Sequence, residues 1–157
     1  MNAVTIRHAM AEDLPFCHNL AFRLAEVARL PWREQAEVDD FQRRYMRSAL
    51  KIPPAAGSAI FLATEQNGEQ LGFLHVEPAP DSITGEPCGY VSLLAVAEGA
   101  EGRGVAQALM LAAERWARSS GWRFLSLDVF ANNERGRTFY ERQGFRPETL
   151  RLYKPVA

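Results

Sequence analysis

Two cysteines, two lysines and three histidines among 157 residues leave several chemistries without material. Cys17 and Cys88 lie far apart, and neither has a second Cys or a His at metal-ligand spacing, so no zinc or CxxC redox motif is present. A chain of this size does not need disulfides, so both thiols are expected to be reduced. His8 and His18 lack companions as well and read as solvated residues of a loop and a helix. No apolar run reaches about 18 residues, which excludes a membrane-spanning helix. The start MNAVTIRHAM lacks a basic stretch followed by an apolar one, so no secretory signal is expected and the cytoplasm is the default compartment. Formal net charge is −1, without the basic excess that a nucleic-acid surface needs. The cations are sixteen Arg against Lys51 and Lys154, a bias we attribute to genome composition.

What is present suits one soluble domain. Hydrophobic residues make up 47% and charged residues 24%, enough for a substantial core at this length. The informative stretch is Tyr90 to Ala117. YVSLLAV reads as a buried strand. QALMLAAERWA has helical spacing, with Val105, Leu109, Ala112 and Trp116 on one line. Between them Gly99, Gly102 and Gly104 mark a tight strand-to-helix turn.

Such a turn suits an anion. The first amides of a helix lack internal partners, and the helix dipole adds partial positive charge there. Glycines at 102 and 104 let a phosphate approach the main chain. A Walker A loop would need Lys and then Ser or Thr after Gly104, where Val105 and Ala106 stand. A dinucleotide fingerprint would need a small residue where Gln107 stands.

The turn Glu101-Gly102-Arg103-Gly104-Val105-Ala106 instead resembles the R/Q-x-x-G-x-G/A motif of the GNAT N-acetyltransferases, which bind acetyl-CoA. It departs at Glu101, where the family has Arg or Gln. A second stretch, Asn133-Glu-Arg-Gly-Arg-Thr-Phe-Tyr140-Glu-Arg-Gln-Gly144-Phe145, resembles the family signature N-x-x-A-x-x-x-Y-x-x-x-G-F, with Gly136 in place of Ala. The resemblance covers most of the chain and is weakest from about Arg23 to Ala56. It implies a single domain over residues 1–157, of α/β class, with the GNAT acyl-CoA N-acyltransferase fold. The sheet would be mixed and mostly antiparallel, parallel where Tyr90–Val96 meets Phe124–Phe130, with helices on both faces.

In chain order, Val4–Arg7 reads as a first strand and Leu14 to Val27 as a helical stripe. A second helix is expected from Arg33 to about Leu50, with Val38, Phe41, Tyr45, Met46 and Ala49 inward. Ser58–Thr64 and Leu71–Val76 read as strands joined at Asn67-Gly68, a hairpin signal. Glu77 to Gly89 reads as a loop. Phe124–Phe130 and Thr149–Lys154 read as the last strands, with a short helix capped at Asn132 or Asn133 between them.

By resemblance, acetyl-CoA would be held by Leu94, Ala95 and Val96 on a splayed strand. The turn residues Glu101, Gly102, Arg103, Gly104, Val105 and Ala106 would contact it too, as would Asn133 and Tyr140. A main-chain N–H near Val96 would face the thioester carbonyl, and Tyr140 would protonate the leaving thiolate. Arg135, Arg137 and Arg142 are weaker phosphate candidates than Arg103. The attacking amine needs a base, and no acid lies between Pro87 and Ala97. Glu77 and His75 are the candidates, with ordered water as a third route. Asp128 reads as a structural hydrogen-bonding acid. Trp32, Phe41 and Tyr45 are candidate acceptor contacts. The expected activity is N-acetylation of a primary amine on a small molecule or peptide, by direct attack in a ternary complex. The alternative is a non-catalytic acyl-CoA sensor on the same fold. Antibiotics, polyamines, amino acids, peptide N-termini and protein lysines all stay open as acceptors. No metal, nucleic-acid or membrane partner is expected, and a homodimer is an open alternative.

Overall fold

The computed structural model describes residues 3–27 and 29–157. Its centre is a five-stranded sheet in the order β1-β2-β3-β4-β5. Strands β1 (Thr5–His8), β2 (Ala59–Thr64), β3 (Gln70–Pro80) and β4 (Pro87–Val96) pair antiparallel. Strand β5 (Leu125–Leu127) runs parallel to β4. The helices are α1 (Leu14–Ala21), α2 (Arg23–Glu26), α3 (Gln35–Ala49), α4 (Val105–Ser119) and α5 (Glu134–Arg142).

Helices cover both faces because each face is apolar. All six residues of β2 are buried, as a strand sandwiched between two layers must be. On one face Val105, Leu109, Met110, Ala112 and Ala113 of α4 pack over Leu74, Val76 and Val91. On the other, Cys17, Leu20 and Ala21 of α1 join Met46 and Ala49 of α3 over Ile60, Leu62, Phe73, Leu93 and Ala95. Cys17 and Cys88 are buried and unbonded, and burial pushes the Cys17 thiol up to about 12. The expected hairpin joins β2 to β3. Gly68 takes the left-handed conformation at φ 86°, and the Asn67 side chain accepts from Glu69 N at 2.9 Å.

Five expectations are corrected. The stretch read as a loop from Glu77 to Gly89 is mostly strand, with β3 reaching Pro80 and β4 starting at Pro87. Asp81 tightens what remains by accepting from Ile83 N at 3.0 Å and Thr84 N at 2.8 Å. The first helical stripe is broken at Phe22 into α1 and α2. Phe41 is exposed, and Gln42 is buried in its place. The segment Thr149–Lys154 forms no strand: it extends without a ladder partner, with Leu150 and Leu152 exposed and the Tyr153 ring under the Arg33 guanidinium at 4.8 Å. An extended segment needs a neighbouring strand to become part of a sheet. The expected strand Phe124–Phe130 shrinks to three residues, because the chain beyond Leu127 turns toward α2 and α3, where Phe130 packs on Ala25 and Val38.

The junction of β4 and β5 tolerates no side chain at Gly89. A Cβ there would lie 2.7 Å from Trp122 Cε3 and 2.9 Å from Leu125 Cδ1. Replacing Gly89 by Ala should therefore prise β5 from β4 and cost about 1–3 kcal/mol, measured by urea unfolding.

Candidate active site

The glycine turn is built as an open cradle. After β4 a single 3-10 turn over Glu98–Ala100 buries Ala100. Gly102 and Gly104 then take left-handed φ values of 74° and 76°, which any larger residue adopts at a cost. Gly104 caps α4. A Cβ at either glycine would meet nothing within 4 Å. There is room beside the first amides of a fifteen-residue helix for a phosphate group.

Glu101 is not left facing that space alone. Arg23 of α2 donates to its Oε1 at 2.9 Å, and Arg135 of α5 to its Oε2 at 3.1 Å. The Arg135 and Arg23 hydrogen bonds hold the Glu101 carboxyl below the usual range. Arg23 also donates to the Val96 carbonyl at 2.6 Å. Arg103 turns away from the cradle to the nearly buried Glu65. Arg137 donates to the Ala131 carbonyl at 3.0 Å.

Strand β4 parts from β5 well ahead of the cradle. Its parallel ladder with β5 ends at Val91↔Leu127. Its antiparallel ladder with β3 continues to Val96↔Gly72 but skips Ser92, since His75 pairs with Leu93 and Val76 with Val91. Ser92 is thus a bulge, and it switches which side chains face which layer. Val91 lies in the α4 core and Leu93 in the α1–α3 core. Ala97 N donates to Leu71 O at 2.8 Å, so the main chain of Ala97 faces β3. By alternation, Leu94 and Val96 present N–H and C=O into the gap, and Ala95 presents them to β3. Of the three residues expected to meet the cofactor through their main chain, Leu94 and Val96 face the gap, where the Val96 carbonyl accepts from Arg23, and Ala95 faces β3.

On the α3 side of this gap stands a polar cluster. Tyr45 of α3 donates to Glu77 at 2.5 Å. His75 Nδ1 and Ser92 Oγ are hydrogen-bonded, and Tyr90 donates to Asp128 at 2.7 Å. Burial and the Glu77 hydrogen bond push the Tyr45 hydroxyl well up, and burial and Asp128 do the same for Tyr90. Burial lowers the His75 pKa, against an upward pull from Glu77. Glu77 and Asp128 have no cationic side-chain partner among the described residues. Trp32 and Phe41 are exposed, and of the three aromatic candidates only Tyr45 reaches the cluster.

Tyr140 lies on the α4 side, half-buried between Phe139 and Phe145 at ring distances of 5.3 and 5.9 Å. Desolvation pushes its hydroxyl up to about 12. That hydroxyl makes no hydrogen bond to the described residues. Asn133 caps α5 by accepting from Gly136 N at 3.0 Å. A Cβ at position 136 would lie 2.5 Å from Asn133 Nδ2, so Gly136 is what lets this side chain fold back.

The family model described as the acetyltransferase (GNAT) family matches residues 22–145. The chain belongs to the GNAT family. Among GNAT relatives, an aminoglycoside N(6')-acetyltransferase type 1 of Stenotrophomonas maltophilia is 32% identical over 100 residues, covering 62% of this chain and 65% of that protein. A mycothiol acetyltransferase of Amycolatopsis mediterranei is 37% identical over 89 residues, covering 54% of this chain and 29% of the other. The matches thus span less than two thirds of these relatives' own lengths. Solved GNAT structures share the fold. The aminoglycoside N-acetyltransferase AAC(6')-Iy in complex with CoA superposes with TM-score 0.73 at 22% identity, covering 100% of this chain and 97% of that one. A GCN5-related N-acetyltransferase from Ralstonia eutropha JMP134 gives 0.74 at 22%, covering 98% and 99%.

In this GNAT chain the site also includes residues that sequence reasoning passed over. Arg23 sat at the start of the weakest part of the resemblance and received no role there. Ser92 and Tyr90 looked like strand filler, since a bulge has no sequence signal of its own. Among the described residues no group of three acidic, His or Cys side chains is placed to hold a metal, and no helix is long and apolar enough to cross a membrane.

His75 makes stability pH-dependent with a definite sign. Its folded pKa lies below the ordinary 6.5, so at mildly acidic pH the unfolded chain binds a proton that the folded chain refuses. The stability present above 6.5 is lost as pH falls toward the folded value. Urea titrations from pH 8 to 5 should show this decline, and His75→Gln should flatten it.

Proposed function

We propose that this GNAT chain is an acetyl-CoA-dependent N-acetyltransferase acting on a primary amine of a small molecule or peptide. The observation that carries the reading is the break of the β4–β5 ladder at Val91, which leaves an edge of the strand that leads into an open glycine cradle unpaired. A free strand edge can pair with the amides of a pantetheine arm as it would with another strand. The cradle of Gly102 and Gly104 can take the pyrophosphate. Bound there, the cosubstrate supplies an activated acetyl thioester. The solved relative with CoA bound fits this ligand.

Each step then falls to a group of this chain. Glu77, within hydrogen-bond reach of Tyr45, takes the proton of the incoming ammonium so that a neutral amine can attack. The N–H of Val96 projects into the gap, where it can stabilise charge developing on the thioester oxygen. As a nitrogen–carbon bond forms and the carbon–sulfur bond breaks, the nitrogen sheds a second proton, which returns through solvent to Tyr140 after that residue protonates the thiolate. Tyr140, kept protonated by burial up to about 12, donates its proton to the departing thiolate. His75, neutral at physiological pH because burial lowers its pKa, buttresses Ser92 beside the reacting centre. The two carboxylates without cationic partners, Glu77 and Asp128, favour a positively charged acceptor. That accords with relatives named for aminoglycosides. An acid positioned at the gap weighs against the non-catalytic sensor.

Calorimetry with acetyl-CoA tests the cradle: the native chain should bind, and Gly104→Glu should abolish binding by placing a carboxylate where the phosphates sit. Binding unchanged in that variant would refute this site. With an amine that turns over, Glu77→Gln and Tyr140→Phe should each lower kcat by about 100-fold while acetyl-CoA affinity stays near native. Equal losses in affinity and kcat would assign both residues to binding.

A further inference from the structure

Position 101 presents a puzzle that three side chains resolve. The family resemblance places Arg or Gln where this chain has Glu101, at the lip of a cradle meant for phosphates. A lone carboxylate there would repel them. The structure instead gives it two guanidiniums, Arg23 from α2 and Arg135 from α5, one on each carboxylate oxygen. One negative and two positive groups sum to a net charge of +1, the charge a single Arg at 101 would carry.

We propose that Arg23 and Arg135 supply the cationic contact to the phosphates of the cofactor that position 101 itself lacks, with Glu101 positioning both. This rests on the reading of the glycine turn as the phosphate cradle.

The remaining donors support it. A guanidinium carries five N–H groups in a rigid fork. Arg135 uses one of them on Glu101, and its side chain is 76% exposed beside the turn. Arg23 spends donors on Glu101 and on the Val96 carbonyl, so it stands at the seam between the free edge of β4 and the cradle. Arg103, the cation within the turn, is drawn off to Glu65. The two arginines come from elements on either side of the gap. A phosphate that shares them would therefore tie α2 and α5 to the end of β4 as it binds. Charge-assisted hydrogen bonds of a planar fork to phosphate oxygens suit this task better than a point charge.

The test is calorimetric affinity for acetyl-CoA, independent of turnover. Arg135→Gln and Arg23→Gln should each weaken binding by about tenfold, and the double variant more than either. Glu101→Gln loses the carboxylate that positions both forks but also removes a negative charge, so it should weaken binding by less than either arginine variant. Added to the double variant, it should restore part of the loss, since Glu101 is then unbalanced. The 3′-dephospho form of acetyl-CoA separates the sources. A loss seen with both ligands places the contact at the pyrophosphate, and one seen only with acetyl-CoA places it at the 3′-phosphate; either supports the proposal. Native affinity in the arginine variants would overturn it. So would a loss in Glu101→Gln as large as in the arginine variants, which would mark a structural staple. Arg135→Lys, which keeps the charge, should fall between native and Arg135→Gln, and thermal melting of each variant checks the fold. Loss of binding in Gly104→Glu with native binding in the arginine variants leaves the cradle standing and removes only this proposal. Absence of acetyl-CoA binding by the native chain removes both.

Discussion

The divergence of β4 from β5 is the constraint on which the rest of the site depends. Their ladder lasts three residue pairs, Gly89↔Leu125 to Val91↔Leu127. Beyond it two different pulls act. Strand β4 stays bound to β3 up to Val96. The chain after Leu127 is drawn to Phe130, packed on Ala25 and Val38, and to Asn132, whose side chain donates to Arg29 O at 2.8 Å. Closing the gap would strip Phe130 of its apolar contacts, so the strand edge stays open. Open main-chain groups in a sheet are costly unless a partner meets them. An extended amide-bearing ligand is such a partner.

The bulge at Ser92 complements the gap. One extra residue turns Leu93 and Ala95 toward α1 and α3 while Val91 remains against α4. It also brings Ser92 to His75. Polar groups at the middle of the sheet, otherwise unfavourable there, are satisfied in pairs: Tyr45 with Glu77, Ser92 with His75, Tyr90 with Asp128. Tyr140 is the exception. Its hydroxyl has no partner among the described residues, although desolvation raises its pKa to about 12.

Much of the architecture was legible because it follows from local rules. Asn67-Gly68 demanded a hairpin and formed one. The apolar line of Val105, Leu109 and Ala112 demanded a helix against the sheet and formed it. Thr149–Lys154 has the composition of a strand, but composition cannot supply a ladder, and the segment stays unpaired. Phe41 was misplaced for a related reason. Helical spacing marks a stripe, and only the angle at which α3 meets the sheet decided that Gln42 is buried and Phe41 is not.

The sequence by itself determined the open glycine turn at the start of α4, because glycine conformation and helix-end amides are properties of a few consecutive residues. It likewise determined α4, the helical signature around Tyr140 and, through both motifs, the family. Only the tertiary structure decided what surrounds Glu101, which of Leu94, Ala95 and Val96 faces the gap, and that Glu77 shares a cluster with Tyr45. These depend on residues brought together from α2, α3, β3, β4 and α5. Side-chain electrostatics and hydrogen bonds act over a few ångströms of space, whatever the separation along the chain.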